Sequence, residues 1–365
     1  MNYMNFLAHV SGTPRYIILF VSDKCWMNCS HCWFHDEWKS THHRNRRLSF
    51  NEMKKLAQSI RSVNFLSLTG GEAFLRDDIV ELVGMFCRTT KVRHFDIPTS
   101  GYESEMIHLK VRDILKRNPD VPFRVGISLD GPREIHELIR GVKGGFERTL
   151  KTIELLRQIR KENQMFDMGI ITTVSKDNEA FVVETAELVE DICPEVEWQV
   201  NFVRGNPRDP YAANVSTSSY KQANDLINSR IARGKYGGHG SGETGRWLSA
   251  KNAARRRIIL EHMEKEQPAL RCAAGALGGV IYIDGETMPC ELMDVSMGNL
   301  RDFDCDLHRL WQSEAASNVR KQIYSSRCFC SQECFLTVSM IANPSKWPMI
   351  LRERIRLIRS KRHLE

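Results

Sequence analysis

Apolar residues along this chain fall into two alternating patterns. Short, nearly unbroken apolar runs occur at Tyr16–Val21, Phe65–Leu68, His94–Ile97, Arg124–Leu129, Met168–Val174 and Glu197–Val203. They read as strands, because a strand buried on both faces needs no polar alternation. Between them, apolar residues recur with the helical period, which predicts helices over about 49–62, 77–88, 103–117, 146–162 and 178–192. Ser49 and Glu52 have the spacing of a capping box at the start of the first. Strict alternation of strand and helix implies parallel pairing through right-handed crossovers, hence an α/β sheet or a full or partial barrel over 16–230. A glycine-rich stretch, Gly234–Gly245, and a basic helix around 249–266 then mark a linker over 231–267. Beyond it lie a smaller unit, 268–340, and a basic tail, 341–365.

Composition narrows the class. With 42% apolar and 27% charged residues in 365, the chain reads as a globular enzyme, and disorder, collagen and coiled coil are excluded. No apolar run approaches the roughly 20 residues that span a bilayer. The N-terminal residues carry no basic cluster followed by an apolar core, so a reducing cytoplasm is the expected compartment and disulfides are not expected. The net charge of +7 is concentrated at the end, where Lys346–Glu365 holds seven Lys or Arg against Glu353 and Glu365. The rest is nearly neutral, which argues against nucleic acid as a partner.

Eleven cysteines include two clusters. Cys25, Cys29 and Cys32, spaced C-x3-C-x2-C, directly follow the first strand. Three thiolates this close suit three irons of a [4Fe–4S] cube and leave one iron open, whereas a structural zinc needs a fourth ligand such as His31 or His35. In a parallel α/β fold the functional groups gather at the C-terminal ends of the strands. Those ends carry Gly70-Gly71-Glu72, Thr99-Ser100-Gly101 and Ser128-Leu129-Asp130-Gly131, and so converge on one site with the cysteines.

The three cysteines at that spacing, followed about forty residues later by Leu-Thr-Gly70-Gly71-Glu72, resemble the radical S-adenosylmethionine (SAM) superfamily. His31 stands where that family often has an aromatic residue. The resemblance implies a partial (β/α)6 TIM-like barrel whose open iron chelates SAM. Reductive cleavage of SAM then gives a 5′-deoxyadenosyl radical that takes hydrogen from a substrate. It also implies roles. Gly70 and Gly71 allow close backbone approach to the methionyl part, and Glu72 accepts from its ammonium group. Ser128 and Asp130 hydrogen-bond the ribose or carboxylate, and Thr173–Ser175 line the adenine. Arg140, in Arg140-Gly141-x-x-Gly144, either meets SAM or pairs with a neighbouring carboxylate.

Cys272 and Cys290 bracket Gly278–Gly285, which reads as a hairpin with an Asp-Gly turn, and Cys328, Cys330 and Cys334 follow. The order resembles the SPASM and twitch domains, small α+β units that bind auxiliary [4Fe–4S] clusters. Five candidates imply one auxiliary cluster, held by Cys272, Cys290, Cys334 and one of Cys328 or Cys330. Glu291, directly after the second hairpin ligand, is either a catalytic base or a solvated carboxylate.

The expected function is thus an oxidoreductase-type radical SAM enzyme acting on a peptide or natural product, with an electron donor such as flavodoxin or ferredoxin. The alternatives are a sugar, lipid or cofactor precursor as substrate, or a non-catalytic iron–sulfur protein that orders a fold or senses redox state. Gly240-Ser-Gly242-Glu-Thr-Gly245 matches a dinucleotide fingerprint but follows no strand and reads as a mobile loop. His42, His43, Arg44, Arg46 and Arg47 form a basic patch. The tail mixes Ile350, Leu351, Ile355, Leu357 and Ile358 with arginines, and either docks on its own domain or lies on an anionic membrane surface. Cys87, Cys193 and Cys305 fit neither cluster and read as small buried apolar residues.

Overall fold

The computed structural model of the chain describes residues 3–35, 47–233 and 242–362. Residues 42–46 of the basic patch and most of the glycine-rich stretch lie outside the described residues; Arg47, the last of the patch, is described and pairs with Asp23. After α1 (Tyr3–Ser11), six strands are laid down in order: β1 (Tyr16–Ser22), β2 (Phe65–Gly70), β3 (Phe95–Thr99), β4 (Phe123–Ser128), β5 (Phe166–Val174) and β6 (Glu197–Phe202). Each pairs in parallel with the next. The helices between them are α2 (Phe50–Ser59), α3 (Ile79–Thr89), α4 (Ser104–Arg117), α5 (Arg133–Arg140), α6 (Gly145–Glu162) and α7 (Val182–Ile192). Of these, only α5 is absent from the sequence reading.

The apolar runs are buried as expected: all of β1 but its first residue is sealed, and Leu19, Leu66, Ile97, Val125 and Ile170 join one core. The capping box forms, with the Glu52 N–H donating to Ser49 Oγ at 3.3 Å and the Ser49 N–H to Glu52 Oε2 at 2.7 Å. Inside the sheet, Arg124 on β4 bridges Asp96 on β3 and Glu197 on β6, each at 3.2 Å. Paired in this way, the three charges avoid most of the penalty of lone buried ions.

The chain continues through α8 (Thr217–Ala232) and α9 (Glu243–Lys265) to β7 (Gly278–Ile281), β8 (Glu286–Met288) and β9 (Gly298–Asn299). The hairpin forms as read, closed by the Gly285 N–H on the Tyr282 carbonyl at 2.9 Å. It is not a separate sheet. β7 pairs in parallel with β1, so one nine-stranded sheet runs β9-β8-β7-β1-β2-β3-β4-β5-β6. Gly278 and Gly279 permit this, because Phe335 and Trp311 lie where their Cβ atoms would be, at 2.6 Å each. The remaining helices are α10 (Leu307–Trp311), α11 (Glu314–Ser325), α12 (Glu333–Ala342) and α13 (Trp347–Arg362). The tail helix α13 packs on α8 and α9. It buries Leu357 and Glu353, and Glu353 pairs with Arg257 at 2.9 Å. Among the described residues no helix is long and apolar enough to cross a membrane.

Candidate active site

The loop after β1 carries Cys25, Cys29 and Cys32 and is clamped from three sides by backbone hydrogen bonds. The Gly71 N–H donates to the Ser22 carbonyl at 2.8 Å and the Glu72 N–H to the Lys24 carbonyl at 2.7 Å. From α5, the Arg140 carbonyl accepts the Asn28 N–H at 3.0 Å and the Ile139 carbonyl the Ser30 N–H at 2.9 Å. From the segment after β6, the Arg208 N–H reaches the Cys32 carbonyl and the Asp209 N–H the Ser30 carbonyl, both at 2.9 Å. The helix missed in the sequence is therefore a structural wall of the cysteine loop.

Gly70 and Gly71 are used differently from the expectation. A Cβ on Gly70 would lie 2.0 Å from the Ser22 carbonyl oxygen, and one on Gly71 2.3 Å from that of Lys24. Their missing side chains let β2 approach the cysteine loop, although both also line the cavity described below. Glu72 is corrected too. Its carboxylate is buried and already engaged: Oε2 accepts from Thr99 Oγ1, the Ser100 N–H and Ser100 Oγ within 3.0 Å, and Oε1 from the Phe74 N–H at 3.3 Å. It ties the ends of β2 and β3 together instead of facing a ligand.

Asp130 is likewise sealed, with no exposed surface. It pairs with Arg140 at 2.6 Å and accepts the Thr173 N–H at 2.9 Å, so it acts on the site through the residues it holds, Arg140 and Thr173. Arg140 does what both of its expected readings separately required: it pairs with the carboxylate, lines the cavity and donates to Cys29 Sγ at 3.6 Å. Ser128 and Thr173 line the cavity as expected, whereas Ser175 is buried beneath it.

The cavity holds about 940 Å³ over the C-terminal ends of the strands. Its wall runs from the three cysteines past Gly70, Ser100, Ser128 and Arg140 to Asn201, Arg204, Arg208 and Glu291. Burial raises the pKa of Cys29 and Cys32, the latter to about 11, with Arg140 partly offsetting the effect at Cys29, while Cys25 is exposed. Such thiols ionise readily only where a metal supplies the positive charge. His31 also lines the cavity; its Nδ1 is buried without a hydrogen-bond partner, and burial lowers its pKa to about 4. No three His, Cys, Asp or Glu side chains among the described residues gather closely enough for a single ion. Three thiols on one loop clamped by backbone hydrogen bonds are a donor set that suits a [4Fe–4S] cube with one open iron.

In the second region, beyond the larger effect of burial, Cys328 raises the pKa of Cys272, and Cys272 and Cys328 raise that of Cys290; all three act on Cys330. Cys272, Cys290 and Cys330 each meet backbone N–H groups, including that of Ala274 on Cys272 Sγ at 3.4 Å. Cys334, expected in the ligand set, packs with Cys272 against the hydrophobic cluster that holds Cys290 and also reaches β1. It is hydrogen-bonded with Tyr16, and the charges acting most on it are Arg204, Glu291 and Glu333. The physical reason is helical: Cys334 is the second residue of α12, whose start is turned towards β1 and the barrel, whereas Cys328 and Cys330 lie on the extended segment before it. Cys328 and Cys330, the two alternatives for one ligand, both lie within electrostatic reach of this group.

Glu291 is not a solvated carboxylate. It is buried, hydrogen-bonded by Gln332 and paired with Arg204 at 3.2 Å; burial raises its pKa while Arg204 opposes the rise. Arg204, which also pairs with Glu333 at 3.0 Å, escaped the sequence reading. Its signal was available: it follows the last barrel strand by two residues, where functional groups collect. Cys193 and Cys305 are buried and Cys87 half-buried, as read.

Residues 19–189 match the Radical SAM superfamily. Over 329 residues the chain is 25% identical to the antilisterial bacteriocin subtilosin biosynthesis protein AlbA of Bacillus subtilis (strain 168), covering 83% of this chain and 62% of AlbA. It is 26% identical to an AdoMet-dependent heme synthase of Oleidesulfovibrio alaskensis, covering 83% of this chain and 76% of the relative. The fold is similar to that of native anSMEcpe with bound AdoMet and Cp18Cys peptide, with a TM-score of 0.58 at 15% identity, over 95% of this chain and 99% of that one.

Proposed function

This chain belongs to the radical SAM superfamily, and on that premise we propose that it cleaves SAM reductively and takes hydrogen from a peptide substrate. In this reading Cys25, Cys29 and Cys32 hold the SAM-binding [4Fe–4S] cluster. Cys272, Cys290, Cys328 and Cys330 hold one auxiliary cluster. The observation that carries the proposal is the single cavity joining the three thiols to the Arg204–Glu291 pair at the strand ends. When bound, the first cluster and SAM supply a one-electron reduction and the carbon radical that accepts hydrogen.

The chain's own residues do the rest. The glycine clamp and α5 hold the cysteine loop rigid, so the thiols are arranged before any ligand arrives. Arg140 places positive charge beside Cys29, offsetting the charge its thiolate would bring. Ser128, Thr173 and Ser100 offer hydroxyls to a polar ligand. Glu291, oriented by Arg204 and Gln332, is a carboxylate on this wall placed to take a substrate proton. The mouth, where Lys24, Trp26 and Arg208 are exposed, suits a chain segment laid across it. The bacteriocin-related AlbA and the peptide in anSMEcpe point the same way. A cofactor precursor is the second reading, on the strength of the heme synthase relative. A small one-electron carrier of the flavodoxin or ferredoxin kind would serve as donor, in a reducing cytoplasm where no disulfide competes with the clusters for thiols.

The test is anaerobic reconstitution, iron and sulfide analysis, reduction, and assay for 5′-deoxyadenosine. The parent should hold about eight irons and a Cys25→Ala/Cys29→Ala/Cys32→Ala variant about four, without SAM cleavage. Cys328→Ala and Cys330→Ala should each lose or weaken the second cluster, while Cys334→Ala keeps the full iron count. Zinc in place of iron, or two clusters with no SAM cleavage under any reductant, overturns the reading in favour of a structural or sensing protein.

A further inference from the structure

α1 and α13 both adjoin the C-terminal end of α12 and carry exposed apolar side chains. On α13, Trp347, Leu351 and Ile355 are 55%, 47% and 42% exposed. Their i, i+4, i+8 spacing sets them in one ridge along the helix. Trp347 Nε1 donates to the Ile341 carbonyl at 3.1 Å, which joins the ridge to the exposed Ile341 at the end of α12. Tyr3 Oη donates to the adjacent Ala342 carbonyl at 2.7 Å, so α1 continues the band. There Tyr3, Phe6 and Val10, again on one helical face, are exposed.

The exposed charges beside the ridge are mainly basic. Arg352 and Arg356 are exposed beside the ridge. Glu353, the one acid of α13, is turned inward onto Arg257 at 2.9 Å and lies 3.8 Å from Arg356, and Arg354 is held sideways by Glu243 at 2.5 Å and by the Trp247 ring. α1 has no acid at all. An apolar ridge with Trp and Tyr at its borders and arginines alongside is the pattern of a helix lying in a lipid interface.

We infer that this face, formed by α13 with Ile341 and α1, docks on an anionic membrane surface, with Trp347, Leu351 and Ile355 entering the interface and Arg352 and Arg356 meeting lipid headgroups. A second copy of the chain fits less well. A two-fold interface built on this face would bring its arginines against their own copies with no exposed acid of α1 or α13 between them. The inference does not rest on the proposed chemistry, because none of these residues lines the cavity.

Flotation of the reconstituted full chain with vesicles tests it. Vesicles of phosphatidylcholine alone are compared with vesicles containing about one-third phosphatidylglycerol. Binding is expected only to the anionic vesicles, and raising the salt from about 0.1 M to about 0.5 M should weaken it. Leu351→Asp/Ile355→Asp should reduce it about tenfold or more while leaving iron content and SAM cleavage at parental levels. Three outcomes overturn the inference: no flotation with anionic vesicles, equal flotation with neutral ones, or undiminished flotation of the variant. Sedimentation showing a dimer that the same variant abolishes assigns the face to a second copy and overturns it as well. Saturable binding of an acidic peptide without vesicle binding does so in favour of a protein partner.

Discussion

Gly71 shows how a motif residue can be found for one reason and used for another. Its position in Gly-Gly-Glu marks it as special, and the resemblance assigns it to SAM. In the fold, its absent Cβ is what lets β2 lie against the Lys24 carbonyl. Gly71→Ala must push back the cysteine loop, and overpacking of this kind costs about 1–3 kcal/mol. A lowered urea midpoint is expected together with reduced iron loading at the first cluster; a variant with parental stability and loading would separate the glycine from the loop. Glu72 and Asp130 teach the same lesson in charge. Both were legible as acids at strand ends, yet burial commits them to protein partners and leaves Ser100, Ser128 and Arg140 facing the cavity. Spacing locates a residue at a strand end but does not say on which side of the neighbouring backbone its carboxylate comes to rest.

At the scale of elements, α2 ties the barrel to the C-terminal region. Besides closing its capping box, Glu52 pairs with Arg301 at 2.6 Å, from the turn after β9. Arg301 holds the Glu52 carboxyl at about 2, below its ordinary 4.5. The folded chain therefore binds this proton less tightly than the unfolded one. The stabilisation is fully present above about 4.5, declines as the pH falls, and is gone below about 2. Both side chains keep roughly a quarter to a third of their surface in water, so the pair and cap together are worth about 1 kcal/mol. Glu52→Gln should lower the urea midpoint accordingly at pH 7, and the gap to the parent should narrow from about pH 5 downward. The periodicities found α2 and the six strands to within a residue or two at most ends, because those elements bury long apolar faces. α5 was missed because it is one turn of apolar signal in eight residues, held by the Asn28 and Ser30 bonds that no local pattern encodes.

For the molecule as a whole, Arg204 is the charge that closes the barrel against the C-terminal region. It reaches from the end of β6 to Glu291 after the hairpin and Glu333 at the start of α12, and all three are largely buried. Arg204→Met leaves two carboxylates in a poorly solvated site, and loss of one partner from a buried ionic group costs about 3–5 kcal/mol. Thermal unfolding of the reconstituted protein should show a large drop in midpoint, with Arg204→Lys intermediate. An unchanged midpoint would mean the two halves are held by the sheet alone.

The alternating runs by themselves determined the parallel α/β framework, since burial on both faces writes itself into consecutive apolar residues. Cysteine spacing and the Gly-Gly-Glu sequence determined the kind of chemistry, because a cluster needs closely spaced thiols and a fixed loop to carry them. Only the tertiary structure decided which thiols face one another, which acids face a ligand, and that the hairpin joins β1. Those outcomes depend on contacts between residues as far apart as Tyr16 and Cys334 or Arg204 and Glu291, and on which side of a backbone each side chain is buried.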